Sequence, residues 1–430
     1  MRSTELDAVV LADDPLARVR IAGLSARERA IRVARKVGAT RVTVVDEPAA
    51  RGQLERARSA PLLVIRADQL VHTPLVQPMV GALPGDGAAL AVDPESGAYA
   101  GAFVATGAAA VRAIAELAAG ASDAAIAAGF ADAARVPHGE PARAPIGTPA
   151  ARRAAHRALY RILIKPQDNA ITRYVYRPVS FPLTRLLVWT PITPNQISYL
   201  VAAIVALGCW VAAHASNRAA LAGTAIVLAA SYLDCCDGEV ARVKLLSSRL
   251  GAWIDTVVDE LSSVGYMVAL GWHCHLAYGP GFFGAPPVDP WEVAIAASLV
   301  TYAGTIYCIY YNIVVAVGSA NSQDYAGKFD VVPGAQPNTV RLRPAAVAIA
   351  TPRELPPALR WLATYAPYVV RRDFISWGAL VLAAVHWTHV AFALLVAGGA
   401  VTCVIVTVDH VRLRSLRRSL ERKGFVVESP

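Results

Sequence analysis

The chain has 430 residues, 55% of them hydrophobic, with 41 lysines and arginines against 32 acids for a net charge of +9. That length admits two or three domains, and a mean hydropathy of +0.42 is high for a soluble protein. Much of the basic excess sits beside apolar runs, and no aromatic-rich basic patch occurs, which favours an anionic membrane surface and argues against nucleic acid.

Residues 1–135 read as a soluble α/β domain. Ala8–Ala12, Arg41–Val45 and Pro61–Ile65 have the composition of short buried strands, and Leu24–Val37 and Thr106–Ala119 carry helical periodicity. Strands alternating with helices predict a parallel, doubly wound sheet. The run from Ile21 through Gly23, Arg27, Arg29, Val37 and Gly38 to Arg41 resembles the opening of sugar-phosphate nucleotidyltransferases. That resemblance implies a Gly-rich loop after the first strand. The loop here is Asp13-Asp14-Pro15-Leu16-Ala17-Arg18, with no glycine to bring backbone N–H groups against phosphates. Asp68 stands where such enzymes often keep a metal-binding aspartate, although it also suits a turn at a strand end. A degenerate nucleotidyltransferase-like domain is the expectation. No signal-peptide core precedes it, since Ala8–Ala12 is too short for one, so this part is expected in the cytoplasm.

Residues 136–150 form a Pro/Gly-rich linker by composition. In residues 151–190, Arg152, Arg153, Arg157, Arg161, Lys165, Arg173, Arg177 and Arg185 alternate with apolar residues, and Pro166 and Pro178 interrupt them. Broken amphipathic helices at a membrane interface are predicted. Residues 191–412 then hold six apolar runs long enough, with their flanks, to be spans. They lie near Asn195–Ala213, Ala219–Asp237, Leu250–Trp272, Trp291–Val317, Phe374–His386 and Thr388–Val408. Residues 413–430 are a basic tail. Lysines and arginines crowd the segments between runs two and three, between four and five, and after six, which predicts an inner-membrane protein with both termini cytoplasmic. The six cysteines (209, 235, 236, 274, 308 and 403) show neither CxxC nor zinc spacing and read as small apolar packing. His273-Cys274-His275 reads as the end of a far-side loop or as a metal-binding triplet.

Four acids stand out at the junction of runs two and three. Asp234-Cys-Cys-Asp237-Gly238-Glu-Val-Ala241-Arg242 is followed, after eight residues, by Gly251-Ala-Trp-Ile-Asp255-Thr-Val-Val-Asp259. Spacings of i,i+3 and i,i+4 put each pair on one helix face. Carboxylates in apolar helices are expensive and need a partner, and a hard divalent cation fits oxygen ligands. The bland alternative is a structural or transported cation.

D-x2-D-G-x2-A-R-x8-G-x3-D-x3-D is the signature of the CDP-alcohol phosphotransferase family, and every fixed position is present. The resemblance implies a six-helix transmembrane transferase, fused here to the α/β domain. Its expected reaction moves a substituted phosphate from a CDP-alcohol donor to a polar alcohol or phosphorylated polyol, releasing CMP. Two Mg²⁺ or Mn²⁺ ions are expected on Asp234, Asp237, Asp255 and Asp259, with Asp259 as general base, and a homodimer in membrane lipid. Gly238, Ala241, Arg242, Gly251 and Asn195 are the expected nucleotide contacts. Thr193-Pro194-Asn195 is equally a plain helix start. Arg371 and Arg372 are candidates for the acceptor phosphate, or simple membrane-rim anchors. Some family members carry a working cytidylyltransferase on this side, for example those making inositol-phosphate osmolytes. A bifunctional enzyme and a divalent-cation transporter are the two rival expectations.

Overall fold

The chain is seen in a computed structural model, which describes residues 5–54, 60–83, 85–164, 170–284, 286–319, 324–334, 336, 338–345, 356 and 372–428. It divides into two compact units. The first holds Met1–Asp168, Phe181–Ile192 and Gly238–Leu246; the second holds Asn169–Ser180, Thr193–Asp237 and Ser247–Pro430.

The first unit is α/β. Its elements are β1 (Leu6–Leu11), the two-residue strands β2 (Arg20–Ile21) and β3 (Leu24–Ser25), α1 (Ala26–Lys36), β4 (Ala39–Val45), β5 (Leu62–Arg66), β6 (Gln69–Val71), α2 (Gln77–Gly81), β7 (Gly87–Val92), β8 (Tyr99–Thr106), α3 (Gly107–Ala118), α4 (Asp123–Ala128), β9 (Ala134–Pro137) and β10 (Arg143–Pro145). Six strands form one sheet in the order β4-β1-β5-β8-β7-β9. Successive side chains of a strand point to opposite faces, and β1 shows it. Ala8 and Val10 pack with Ala30, Val33 and Ala34 of α1, while Val9 and Leu11 join Ala110, Ala113 and Leu117 of α3 on the other face. The helices therefore cover both sides, as a doubly wound pattern requires.

The sheet is mixed, not wholly parallel. β1 runs parallel to β4 and β5, but β8 is antiparallel to both β5 and β7. A tight turn is the cause. Asp93 N–H donates to Ala98 O (2.8 Å), Gly97 N–H returns to Asp93 O (2.9 Å), and the Asp93 carboxylate takes the Ser96 N–H (3.0 Å). A connection this short closes only an antiparallel hairpin. Residues 136–150, read as a linker, carry the end of β9 and all of β10, which pair with β7 and β6. Pro137 and Pro145 sit in these short strands of the compact unit.

α5 (Pro149–Arg161) starts at Thr148, whose hydroxyl accepts from Ala151 N–H (3.1 Å). It buries Ala155 and Leu159 against protein, including β10, where the sequence suggested a helix lying on the membrane. α6 (Arg177–Leu187) follows one π-helical turn, with Pro182 inside it.

The second unit is helical. α7 (Pro194–Ala212), α8 (Asn217–Val243), α9 (Arg249–Tyr278), α10 (Pro290–Asn312), α11 (Arg372–Ala384) and α12 (Thr388–Arg422) cover the six apolar runs, and α8 continues through Gly238 into the first unit. Four of them are long and apolar enough to cross a membrane: α7, α8, α10 with its π-helical extension to Val317, and α12. They mark a membrane protein. Leu200, Leu207, Trp210, Val300, Leu394 and Val401 are all more than half exposed on these helices, an arrangement suited to lipid. α9 is as long but holds Asp255, Asp259, Glu260 and two histidines, and α11 is short. α12 runs on as one helix to Arg422, absorbing much of the expected basic tail. Three strands not expected from the sequence, β11 (Phe329–Pro333), β12 (Thr339–Pro344) and β13 (Val426–Val427), form a small sheet.

One buried imidazole gives the first unit a pH dependence. Burial and the nearby Arg29 charge push His72 down to about 4, against the pull of the Arg242 backbone. Folded His72 is therefore neutral where the unfolded chain, near 6.5, already takes a proton. The unfolded state binds more protons between these values, so stability is complete above about pH 6.5 and lost as pH falls towards 4. The loss for the whole window is about 3 kcal/mol at most. Pulse proteolysis in urea, followed on fragments from residues 1–160, is expected to show this loss, and His72→Gln should flatten it.

Candidate active site

The site grows from two helix starts and one uninterrupted helix. Thr193 caps α7 with a full capping box: its hydroxyl accepts from Gln196 N–H (3.4 Å), and Gln196 Oε1 accepts from Thr193 N–H (2.9 Å). Pro194 takes the first helical position, where no N–H is needed. The Thr-Pro-Asn-Gln string is thus a helix start, and it also delivers two side chains. Ser198 Oγ donates to Asp237 Oδ2 at 2.6 Å. Asn195 lies against Gly251, where an added Cβ would stand 3.1 Å from Asn195 Oδ1. Ser248 caps α9 by accepting from Gly251 N–H (2.9 Å), so Gly251 is enclosed by the cap on one side and Asn195 on the other.

Asp234 and Asp237 come from α8 and Asp255 from α9. Each offers a carboxylate oxygen, and the three lie within 4.8 Å of one another. Asp237 is only 6% exposed, and the other two are half-buried. Three carboxylates at this separation repel one another unless a cation or protons intervene. The donor set is all oxygen with no sulfur or nitrogen, which fits Mg²⁺ or Mn²⁺ and disfavours a softer ion. Asp259 stands one turn beyond Asp255 on α9 and is not among the three mutually close acids.

Gly238, Ala241 and Arg242 continue α8 after Asp237. A Cβ on Gly238 would stand 3.2 Å from Arg242 Nη1, so the glycine leaves room beside the guanidinium. Two further acids neighbour the ligands. Glu239 is fully buried, and Thr184 Oγ1 donates to its Oε2 at 2.6 Å. Glu260 accepts from Tyr302 Oη (2.5 Å) and Tyr310 Oη (3.2 Å), both on α10. Ser198, Tyr302 and Tyr310 were not singled out from sequence.

In the first unit, Asp68, the acid expected to mark a nucleotidyltransferase centre, and Asp13 of the loop after β1 are already engaged. Arg66 donates from Nε and Nη2 to the two carboxylate oxygens of Asp68, and Arg51 donates from Nε and Nη2 to one oxygen, Asp13 Oδ2. The bond to Asp68 raises the Arg66 pKa, and burial raises that of Asp123 beside it. Arg371 lies outside the described residues, as do the side chains of Arg372 and Asp373. The His273-Cys274-His275 run is divided between two jobs. His273 meets His214 O (2.6 Å) and Thr388 Oγ1 (3.0 Å), whereas His275 Nδ1 meets Asp289 Oδ2 (2.6 Å), near Glu292.

A sequence model of the family described as CDP-alcohol phosphatidyltransferase matches residues 191–405. The chain belongs to that family, whose members are enzymes that use divalent metal ions. Among curated proteins, a bifunctional IPC transferase and DIPP synthase from Rubrobacter xylanophilus is 34% identical over 117 residues, covering 27% of this chain and 26% of that protein. One of the same description from Aquifex aeolicus is 34% identical over 129 residues, covering 30% and 29%. A putative cardiolipin synthase from Mycobacterium tuberculosis is 34% identical over 100 residues, covering 23% and 40%. The matched stretches thus span between about a quarter and two fifths of these relatives.

Loading the carboxylate cluster should stabilise the fold. With Mn²⁺ at 100 times its dissociation constant, a stabilisation of about 2.7 kcal/mol is expected, read as a rise in melting temperature in detergent. Asp237→Asn or Asp255→Asn should abolish the rise, and Ser198→Ala should reduce it. A full rise in both aspartate variants would contradict the assignment.

Proposed function

We propose that this chain transfers a substituted phosphate group from a CDP-alcohol to a hydroxyl acceptor, with release of CMP, at the cytoplasmic side of an inner membrane. One observation carries the proposal: the complete D-x2-D-G-x2-A-R-x8-G-x3-D-x3-D pattern folds so that carboxylate oxygens of Asp234, Asp237 and Asp255 lie within 4.8 Å of one another.

Asp234, Asp237 and Asp255, with Asp259 one turn further along α9, would hold two divalent ions, Mg²⁺ or Mn²⁺, which would supply neutralising charge for the diphosphate and the leaving CMP. The chain's own side chains do the rest. Asp259 takes the proton from the acceptor hydroxyl as general base. Gly238 and Ala241 let the nucleotide approach the α8 backbone, and Arg242 offers a planar fork of donors to it. Gly251 permits the close packing of α9, and Asn195 steadies the nucleotide. Ser198 fixes the orientation of the Asp237 carboxylate through its hydrogen bond. Arg371 and Arg372 receive a phosphate on the acceptor.

The donor is CDP-diacylglycerol or a CDP-polyol such as CDP-inositol. The acceptor is an inositol-phosphate-type polyol or another polar alcohol, so the product belongs to phospholipid or phospho-polyol synthesis. The relatives named as IPC transferases and DIPP synthases support the polyol side, and those named as cardiolipin synthases support the lipid side. The arginine-bound Asp13 and Asp68 argue against CDP-alcohol synthesis by the α/β unit. Both termini are cytoplasmic, and the working form is a homodimer.

CMP release in detergent, from a panel of CDP-alcohols with phosphorylated polyols and glycerol phosphate, tests the reaction. Asp259→Asn should lower the rate by about 10²–10⁴-fold while keeping the Mn²⁺-induced rise in melting temperature. Unchanged CMP release would remove Asp259 from the role of base. Divalent-cation flux into liposomes without any nucleotide would favour a transporter instead.

A further inference from the structure

The last turn of α8 is built in an unusual way. The helix stops in a paired C-terminal cap in which Leu246 N–H returns to Ala241 O (2.8 Å) and Leu245 N–H returns to Arg242 O (3.3 Å). Such a cap needs a left-handed residue, which is usually glycine. Here the residue is Leu245, at φ 57°. A leucine holds that conformation only where its surroundings compel it. Leu245 is 8% exposed and packs in the α/β core among residues of the sheet face that α1 covers.

The cap leaves two carbonyls without a backbone partner, those of Val243 and Lys244. Both are taken by α1. Arg29 Nη1 donates to Val243 O at 2.8 Å, and Arg32 Nη1 donates to Lys244 O at 2.7 Å. Arg29 is completely buried and holds Ile21 O with Nη2 (3.1 Å), whereas Arg32 is paired with Glu28. Cations also suit the negative end of a helix dipole. From the same turn, Lys244 Nζ reaches out to Thr190 O (2.6 Å) and Ile192 O (3.1 Å), directly before the Thr193 cap of α7. All these residues lie within the first compact unit.

We propose that Arg29, Arg32 and Leu245 form a latch that positions the Gly238–Arg242 segment of α8, so that the α/β unit serves the transferase as a nucleotide-site scaffold. The three are positioning residues, and the assignment of their purpose rests on the transfer reaction proposed above. The latch accounts for an α/β unit that keeps its fold while its own strand-end acids are bound by arginines. A buried arginine directed at a carbonyl 214 residues away is otherwise an expensive way to fill a core.

The test uses the full chain in detergent, with Arg29→Met/Arg32→Met and Leu245→Ala. Hydrogen–deuterium exchange at residues 238–246 should accelerate in both, with exchange across α10 unchanged. KM for the CDP-alcohol should rise about tenfold, as expected for lost binding of the donor alone, with kcat and the acceptor KM within about twofold. Arg29→Lys, which keeps the charge and one donor, should recover part of the donor KM. If the double variant does not fold, half-buried Arg32→Met carries the same two readouts. Unchanged exchange at 238–246 overturns the latch, as does a fall in kcat with donor KM unmoved. A wild-type chain that releases no CMP from any CDP-alcohol would sink the transfer reaction, and the exchange measurement would still decide the latch.

Discussion

Three carboxylates gathered between apolar helices dominate this structure. Charged acids at membrane depth each cost about 3 kcal/mol or more, and mutual repulsion adds to that. Such a cluster persists only where cations or protons relieve that repulsion. The local architecture is arranged to make that possible. A serine from α7 orients one carboxylate, Gly251 lets Asn195 and the Ser248 cap close around it, and tyrosines of α10 hold the neighbouring Glu260. Divalent cations, which a cluster of oxygen ligands favours, would also neutralise a dianionic diphosphate.

The α/β unit obeys the opposite logic. The acids after β1 and β5 sit at strand ends of a doubly wound sheet, where ligands commonly bind. They are neutralised from within, by Arg51 and Arg66. A resident guanidinium does for these acids what a metal would do elsewhere, without leaving an open coordination position. The fold is retained, and the charge balance suits structure more than turnover.

Much of the second unit was legible because its signals are long and redundant. Six apolar runs became six helices, and the spacing of Asp234, Asp237 and Asp255 put them on facing surfaces. Short-range signals were harder to read. Residues 136–150 look like a tether because prolines and glycines dominate, yet β9 and β10 need few residues and take their hydrogen bonds from distant strands. The antiparallel β8 follows from a turn at Asp93–Ala98, and strand-and-helix periodicity carries no information on the direction in which such a turn returns the chain. Glu239 lies about 100° round α8 from Gly238 by helical angle alone. Its burial depends on Thr184, 55 residues away, and no periodicity in α8 encodes that partner. The Leu245 cap was equally hidden, since a left-handed leucine is recognisable only from the backbone and core that enforce it.

In the proposed reaction the α8–α9 acids hold divalent ions against the diphosphate of a cytidine nucleotide. Electron–nuclear double resonance on Mn²⁺-loaded protein with a CDP-alcohol addresses this directly. The expected result is a ³¹P hyperfine coupling that disappears, together with tight Mn²⁺ binding, when Asp234 and Asp255 are both changed to Asn. Tight Mn²⁺ without any ³¹P coupling in the wild type, or a coupling that survives in the double variant, would contradict it.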